Sequence, residues 1–141
     1  MNVLNNASIR CIHCLGVGGV GVSALAELLL DKGYQVSGSD VQRSSRIARL
    51  ELKGLSFREG HFAENIEGVD CVIYSSAIKS HNPIYRYAEE HHIPLVRRGE
   101  LLAEILQSYD SIVVAGTPRL RNTLAALLVG AKIARLRWFF L

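Results

Sequence analysis

Residues 16–21, Gly-Val-Gly-Gly-Val-Gly, carry the most chemically specific spacing in this chain. The apolar run Cys11-Ile12-His13-Cys14-Leu15 leads into them, and an amphipathic helical pattern leaves them toward Leu29. A strand, a turn and a helix in that order suit a bound phosphate. One glycine permits the tight reversal, a second lets backbone N–H groups approach a pyrophosphate, and a third lets the helix pack on its strand. Free N–H groups and the positive end of the helix dipole then face the anion. Glycine also marks ordinary turns, so the loop alone leaves that reading open.

Two further candidates stand at the ends of later apolar runs. Asp40 follows Gly21 by 19 positions, close to where an acid at the end of a second strand accepts hydrogen bonds from a ribose. Capping the next helix is its other use, although Ser44 or Ser45 offers the same service. Ser75-Ser76-Ala77 places two hydroxyls and small side chains where a sugar or phosphate can come close, and serines there equally form turns. Cys11 and Cys14 flank Ile12 and His13 in a spacing reminiscent of metal or redox sites. On a strand, side chains three apart point to opposite faces and cannot share one ion, so both read as core cysteines.

The rest of the chain alternates the two periodicities needed to position these residues. Residues 34–39, 55–58, 69–74 and 94–96 read as strands, and 44–53, 83–91 and 99–107 as helices, one of them opened by Pro83. Strands alternating with helices pair in parallel through right-handed crossovers, and strands rich in Val, Ile and Leu imply a sheet covered on both faces. The expected fold is α/β: a doubly wound, mostly parallel Rossmann-like sheet with helices on both faces. At 141 residues and 49% hydrophobic, the chain suffices for a proper core. A net charge of +3 from scattered basic residues argues against nucleic acid. No apolar run approaches the roughly 20 residues that span a bilayer, so no membrane role is expected. Three cysteines cannot all pair, and no signal peptide precedes the first strand, which points to a reduced, cytoplasmic setting.

Residues 15–40 (LGVGGVGVSALAELLLDKGYQVSGSD), 59–106 (EGHFAENIEGVDCVIYSSAIKSHNPIYRYAEEHHIPLVRRGELLAEIL) and 111–117 (SIVVAGT) together resemble the amino-terminal part of the Mur ligase family. The resemblance is to its UDP-N-acetylmuramate:L-alanine ligases of peptidoglycan synthesis, over about residues 9–117. It implies a UDP-sugar-binding domain over residues 1–107, and over 108–141 a remnant of the central domain that binds ATP and magnesium in the full-length family. The implied chemistry is activation of the muramoyl carboxylate as an acyl phosphate, followed by attack of the alanine amine. Carried onto this chain, it implies that Gly18, Gly19, Val20 and Gly21 hold the pyrophosphate and that Asp40 lies against the uridine. Ser75, Ser76 and Ala77 would line the same cleft, and His61 matches a family Gly-His pair. Arg97 and Arg98 match a basic pair, for which a structural salt bridge is the favoured use over a substrate contact. His91 and His92 close a helix, where the dipole favours them. The partner implied is UDP-N-acetylmuramate or a related UDP-sugar. An NAD-type regulatory or dehydrogenase-like module shares the glycine loop and Asp40, but explains neither residues 75–77 nor Gly116-Thr117.

Gly116 and Thr117 begin an ATP phosphate loop that the family continues with His-Gly-Lys-Thr, whereas this chain reads Pro118-Arg119-Leu120-Arg121. Arg119 replaces a glycine, Leu120 the phosphate lysine, and Arg121 the hydroxyl that would reach magnesium. The apolar, aromatic ending Trp138-Phe139-Phe140-Leu141 reads as that of a truncated or frame-shifted product, without a working ATP site of its own.

Overall fold

A computed structural model describes residues 2–107. The chain divides into two compact units, Met1–Glu104 and Ile105–Leu141, and the first holds the whole sheet. The expected ATP-domain remnant over 108–141, with Gly116 and Thr117, lies outside the described residues.

Five strands, β1 (Cys11–Leu15), β2 (Gln35–Asp40), β3 (Ser56–Glu59), β4 (Cys71–Tyr74) and β5 (Leu95–Arg97), form one sheet in the order β3-β2-β1-β4-β5. Every pairing among them is parallel, beyond the mostly parallel sheet expected. Four helices, α1 (Val20–Asp31), α2 (Ser45–Leu52), α3 (Pro83–Glu90) and α4 (Arg98–Gln107), alternate with the strands. The path β1 to β2 to β3 runs toward one edge and β4 to β5 toward the other, so right-handed crossovers place α1 and α2 on one face and α3 on the opposite one. The strand order therefore reverses between β1 and β4, which opens a crevice over their carboxyl ends.

Register sorts the core by face. Leu15, Val72 and Tyr74 pack with Ile66, Ile84 and Ala88 on the α3 side. Ile12, Cys14, Cys71 and Ile73, all fully buried, share the opposite face by strand alternation. Burial pushes the Cys14 and Cys71 thiols up to about 12, which leaves both unreactive as packing groups. Cys11 is half-buried and donates to Gln35 Oε1 at 3.2 Å, and all three thiols are free.

Local signals set the helix starts. Ser44 Oγ accepts from Ile47 N–H at 3.3 Å, and Asn82 Oδ1 accepts from Ile84 N–H at 3.0 Å with Pro83 next in line. A 3₁₀ turn over Ala63–Ile66 was not expected, because its only anchor is the single buried Ile66, too little for a periodic signal. The amino-terminal arm is held by two carboxylates: Glu104 accepts from Val3 and Leu4 N–H, and Asp70 from Arg10 and Cys11 N–H. Those two bonds hold the Asp70 carboxyl below its ordinary range. No helix among the described residues is long and apolar enough to cross a membrane.

Gly38 shows how closely the loop and the sheet fit. A Cβ there would lie 2.8 Å from Val17 Cβ, and Val17 is fully buried with no room to retreat. Gly38→Ala is expected to cost about 1–3 kcal/mol by overpacking, read as a lower urea midpoint at an unchanged m value.

Candidate functional site

The glycine loop leaves β1 through Gly16, whose φ of +76° suits glycine. Most of its early N–H groups are satisfied within the fold. Gly16 and Val17 donate to the Ser39 carbonyl at 2.8 and 3.1 Å, and Gly19 donates to the Gly16 carbonyl at 3.1 Å. Gly18 N–H donates to Asp40 Oδ2 at 2.8 Å, while Arg46 Nη1 donates to the Gly18 carbonyl at 2.7 Å. The open donors lie one step further on. Gly19 caps α1 with no side-chain acceptor, and the first intrahelical bond runs from Ser23 N–H to the Gly19 carbonyl at 2.9 Å. The N–H groups of Val20, Gly21 and Val22 thus have no partner among the described residues, and the helix dipole adds positive potential at the same point. Val20 is 66% exposed, so this end of α1 is open to solvent.

Asp40 stands at the end of the second strand, where its spacing put it. It is the last residue of β2 itself, and its Oδ1 accepts from Val41 N–H at 2.7 Å while Oδ2 takes Gly18. Ser44, not Asp40, caps α2. A Cβ on Gly18 would lie 2.7 Å from Asp40 Oδ2, so this glycine is required for the contact with Asp40 before any ligand is considered. A Cβ on Gly21 would fall 2.6 Å from Nη1 and 2.7 Å from Cδ of Arg98, whose side chain lies directly over the start of α1.

Among the described residues Arg97 and Arg98 do not form the salt bridge favoured from sequence; the ion pairs there join Arg43 to Glu51 and Lys53 to Glu27 and Asp31. The two arginines straddle the junction between β5 and α4, which separates their roles. Arg97 Nε donates to Tyr74 Oη at 3.2 Å, with Tyr85 edge-on to Tyr74 at 5.3 Å. Arg98 turns instead to Gly21.

The segment after β4 reaches the same crevice. Ser75 Oγ accepts from Ala77 N–H at 3.3 Å and its carbonyl accepts from Ile78 N–H at 3.0 Å, a turn that leaves Ser76 and Ala77 exposed. Ile78 Cδ1 lies 3.7 Å from where a Gly16 side chain would begin, which brings this turn against the glycine loop. His61 is half-buried, and its Nδ1 lies 3.3 Å from Ser39 Oγ. His91 and His92 stand elsewhere: His91 stacks on Tyr87 at 3.8 Å and ends α3, and His92 has a φ of 54°.

Sequence reasoning missed two contributors, Arg46 behind Gly18 and the fully buried His13, and favoured a salt bridge for Arg98, which lies over Gly21. Nδ1 of His13 lies 2.8 Å from Ser37 Oγ and Nε2 lies 2.9 Å from Ser39 Oγ. Burial, with His61 nearby as a lesser cause, holds its pKa down to about 3, so it is neutral at ordinary pH. No cluster of side chains able to hold a metal ion occurs among the described residues. A groove of about 300 Å³ between α1 and α2 is lined by Arg46, Arg49 and Lys53. Within it, Arg46 donates to the Gly18 carbonyl and Lys53 pairs with Glu27.

Fold and site together define a doubly wound α/β domain with an open helix N-terminus at its topological switch point. Residues 11–110 match the model of the Mur ligase family, catalytic domain, and the chain belongs to that family. The UDP-N-acetylmuramate--L-alanine ligase of Bartonella tribocorum is 45% identical over 109 residues, covering 77% of this chain and 23% of that protein. The protein of the same name from Coxiella burnetii is 47% identical over 113 residues, covering 80% and 24%. Among solved structures, UDP-N-acetylmuramate-alanine ligase from Thermotoga maritima is 31% identical with a TM-score of 0.66, over 69% of this chain and 23% of that one. The ligase for UDP-N-acetylmuramate and L-alanyl-gamma-D-glutamyl-meso-diaminopimelate from Neisseria meningitides shares the fold at a TM-score of 0.77 and 22% identity, over 89% and 41% of the two chains. The chain spans about a quarter of the length of the curated relatives it matches. The dinucleotide-binding alternative is not favoured by these relationships.

The neutral, buried His13 makes stability depend on pH in a definite direction. Its folded pKa of about 3 lies below the unfolded 6.5, so the unfolded chain takes up the proton first and acid favours unfolding. Its contribution is complete above pH 6.5 and is lost as pH falls toward 3, at up to about 1.4 kcal/mol per pH unit. Urea unfolding at pH 7 and at pH 4.5 should show a smaller pH-dependent loss for His13→Gln than for the natural chain; equal losses would show that His13 is not held neutral.

Proposed function

We propose that residues 1–107 form the UDP-N-acetylmuramate-binding domain of a ligase that adds L-alanine to that sugar nucleotide, with residues 108–141 belonging to its ATP domain. The observation that carries this reading is the row of open N–H donors at Val20, Gly21 and Val22, with Arg98 laid over Gly21, in a chain homologous to ligases of that name. A pyrophosphate needs several donors held in fixed directions and a positive field, and this end of α1 supplies both without a lysine. Gly18 and Gly19 shape the loop, and Val20 and Gly21 contact the phosphates through their backbone.

The other candidates surround that anchor. Asp40 keeps free lone pairs on both oxygens after accepting from Gly18 and Val41, and these take hydroxyls or N–H groups of the uridine. His61 and the Ser75-Ser76-Ala77 turn line the cleft on either side, where the small side chain of Ala77 leaves room for the sugar. In the full-length family, ATP and magnesium would complete the chemistry at the muramoyl carboxylate.

The donor set after Gly116-Thr117 does not fit that second nucleotide. Leu120 offers no donor to a phosphate, and neither Arg119 nor Arg121 can ligate magnesium. No ligation step is therefore assigned to this chain's own residues.

Calorimetric titration tests the binding reading: UDP-N-acetylmuramate and UDP should both bind more tightly than NAD, and Arg98→Ala should weaken UDP by roughly tenfold, as expected for loss of one charged hydrogen bond. NAD binding at least as tightly as both uridine ligands would replace this reading with the dinucleotide one. For turnover, phosphate release with UDP-N-acetylmuramate, ATP and magnesium should be the same with and without L-alanine; alanine-dependent release from the purified chain would show that residues 118–123 form a working phosphate site.

A further inference from the structure

His13 sits in the middle of β1 with no exposed surface, and both of its ring nitrogens are engaged: Nδ1 is 2.8 Å from Ser37 Oγ and Nε2 is 2.9 Å from Ser39 Oγ. The same Ser39 oxygen is 3.3 Å from Nδ1 of His61. Four side chains thus form one hydrogen-bonded chain, Ser37–His13–Ser39–His61, that leads from the sheet interior to a residue of the crevice. His61 Nε2 has no partner among the described residues, so it is the atom left for a ligand.

Counting hydrogens along this chain leaves two arrangements. A neutral imidazole carries one N–H and one lone pair, and a serine hydroxyl donates once. If His13 Nδ1 carries the hydrogen and donates to Ser37, then Nε2 accepts from Ser39. Ser39 has no second hydrogen, so its oxygen accepts from Nδ1–H of His61, and neutral His61 offers its Nε2 as an acceptor. If His13 Nε2 carries the hydrogen and donates to Ser39, the Ser39 hydroxyl donates to His61 Nδ1. His61 then holds its hydrogen on Nε2 and offers a donor. In both arrangements the two neutral histidines carry the hydrogen on the same ring position.

We propose that His13 and Ser39 are positioning residues that fix the tautomer of His61, and with it the donor or acceptor that His61 presents to a bound nucleotide. This rests on the reading above that places a uridine nucleotide in the crevice. Such a ligand is rich in acceptors, namely phosphate oxygens and ring carbonyls, so its binding selects the arrangement with hydrogen on Nε2 of both rings. The buried histidine, which touches no ligand, changes state together with His61. Only a neutral His13 can do this, because a protonated ring would donate from both nitrogens and hold Ser39 in a single orientation.

The test is nitrogen NMR of the ¹⁵N-histidine-labelled chain at pH 8, where an ordinary histidine is neutral. Without ligand, His13 and His61 should show the same tautomer or the same mixture of tautomers. Saturation with UDP should move both toward hydrogen on Nε2. Ser39→Ala should release His61 to a tautomer mixture different from that of His13 and lower UDP affinity by about tenfold. Opposite tautomers in the unliganded natural chain would overturn the proposal, as would a His61 spectrum unmoved by Ser39→Ala or a His13 tautomer that differs from that of His61 once UDP is bound. Failure of UDP to bind would count against the nucleotide reading instead, and the unliganded tautomers would still decide the coupling, even if the serine variant did not fold.

Discussion

The last two residues of β2 hold the glycine loop of β1. The Ser39 carbonyl accepts two consecutive loop N–H groups, from Gly16 and Val17, and the Asp40 carboxylate accepts a third, from Gly18. Parallel pairing of Leu15 with Ser39 makes this possible, because it sets the end of β2 beside the point where β1 turns. Net contributions of about 1 kcal/mol for each neutral bond and somewhat more for the carboxylate add up to a firmly held turn. Arg46 secures the next peptide along through the Gly18 carbonyl. The start of α1 inherits its direction from that clamp, with no side-chain cap to compete for the donors it exposes.

Division of labour follows from this arrangement. Loop donors that hold the fold together are unavailable to a ligand, whereas those of the first helical turn are free and lie at the positive end of a 12-residue helix. Backbone donors recognise phosphate without recognising what it is attached to. In the proposed function, selectivity comes from side chains at the ends of the neighbouring strands: Asp40 from β2, His61 after β3, the Ser75–Ala77 turn after β4 and Arg98 after β5. The reversal of strand order between β1 and β4 is what lets the β2 and β4 sides face one crevice.

Much of this was legible in the sequence because it is local. The strand, glycine turn and helix of residues 11–31, the period-two strands and the Asn82-Pro83 helix start are all written in neighbouring residues, and the structure places them within a residue or two of expectation. Asp40 and residues 75–77 are singled out by sequence because strand ends in such a fold are the places to look for a site. The contacts of Arg98 with Gly21, Arg46 with Gly18 and His13 with Ser37 and Ser39 all span 24 or more positions, and no periodicity encodes them. His13 in particular reads as one polar residue inside an apolar strand, and its partners emerge only when parallel register sets Ser37 beside it. The expected Arg97 or Arg98 salt bridge does not occur among the described residues for a related reason: Arg97 bonds Tyr74 and Arg98 lies over Gly21, both distant in sequence.

Amide NMR of the ¹⁵N-labelled chain during titration with UDP tests most directly whether the β2 clamp leaves the first turn of α1 as the anion site. The Val20, Gly21 and Val22 amides should shift strongly, while those of Gly16 and Val17, already bonded to Ser39, should move little. Large shifts at Gly16 and Val17 with none at Val20 to Val22, or shifts confined to the groove of Arg49 and Lys53, would contradict it.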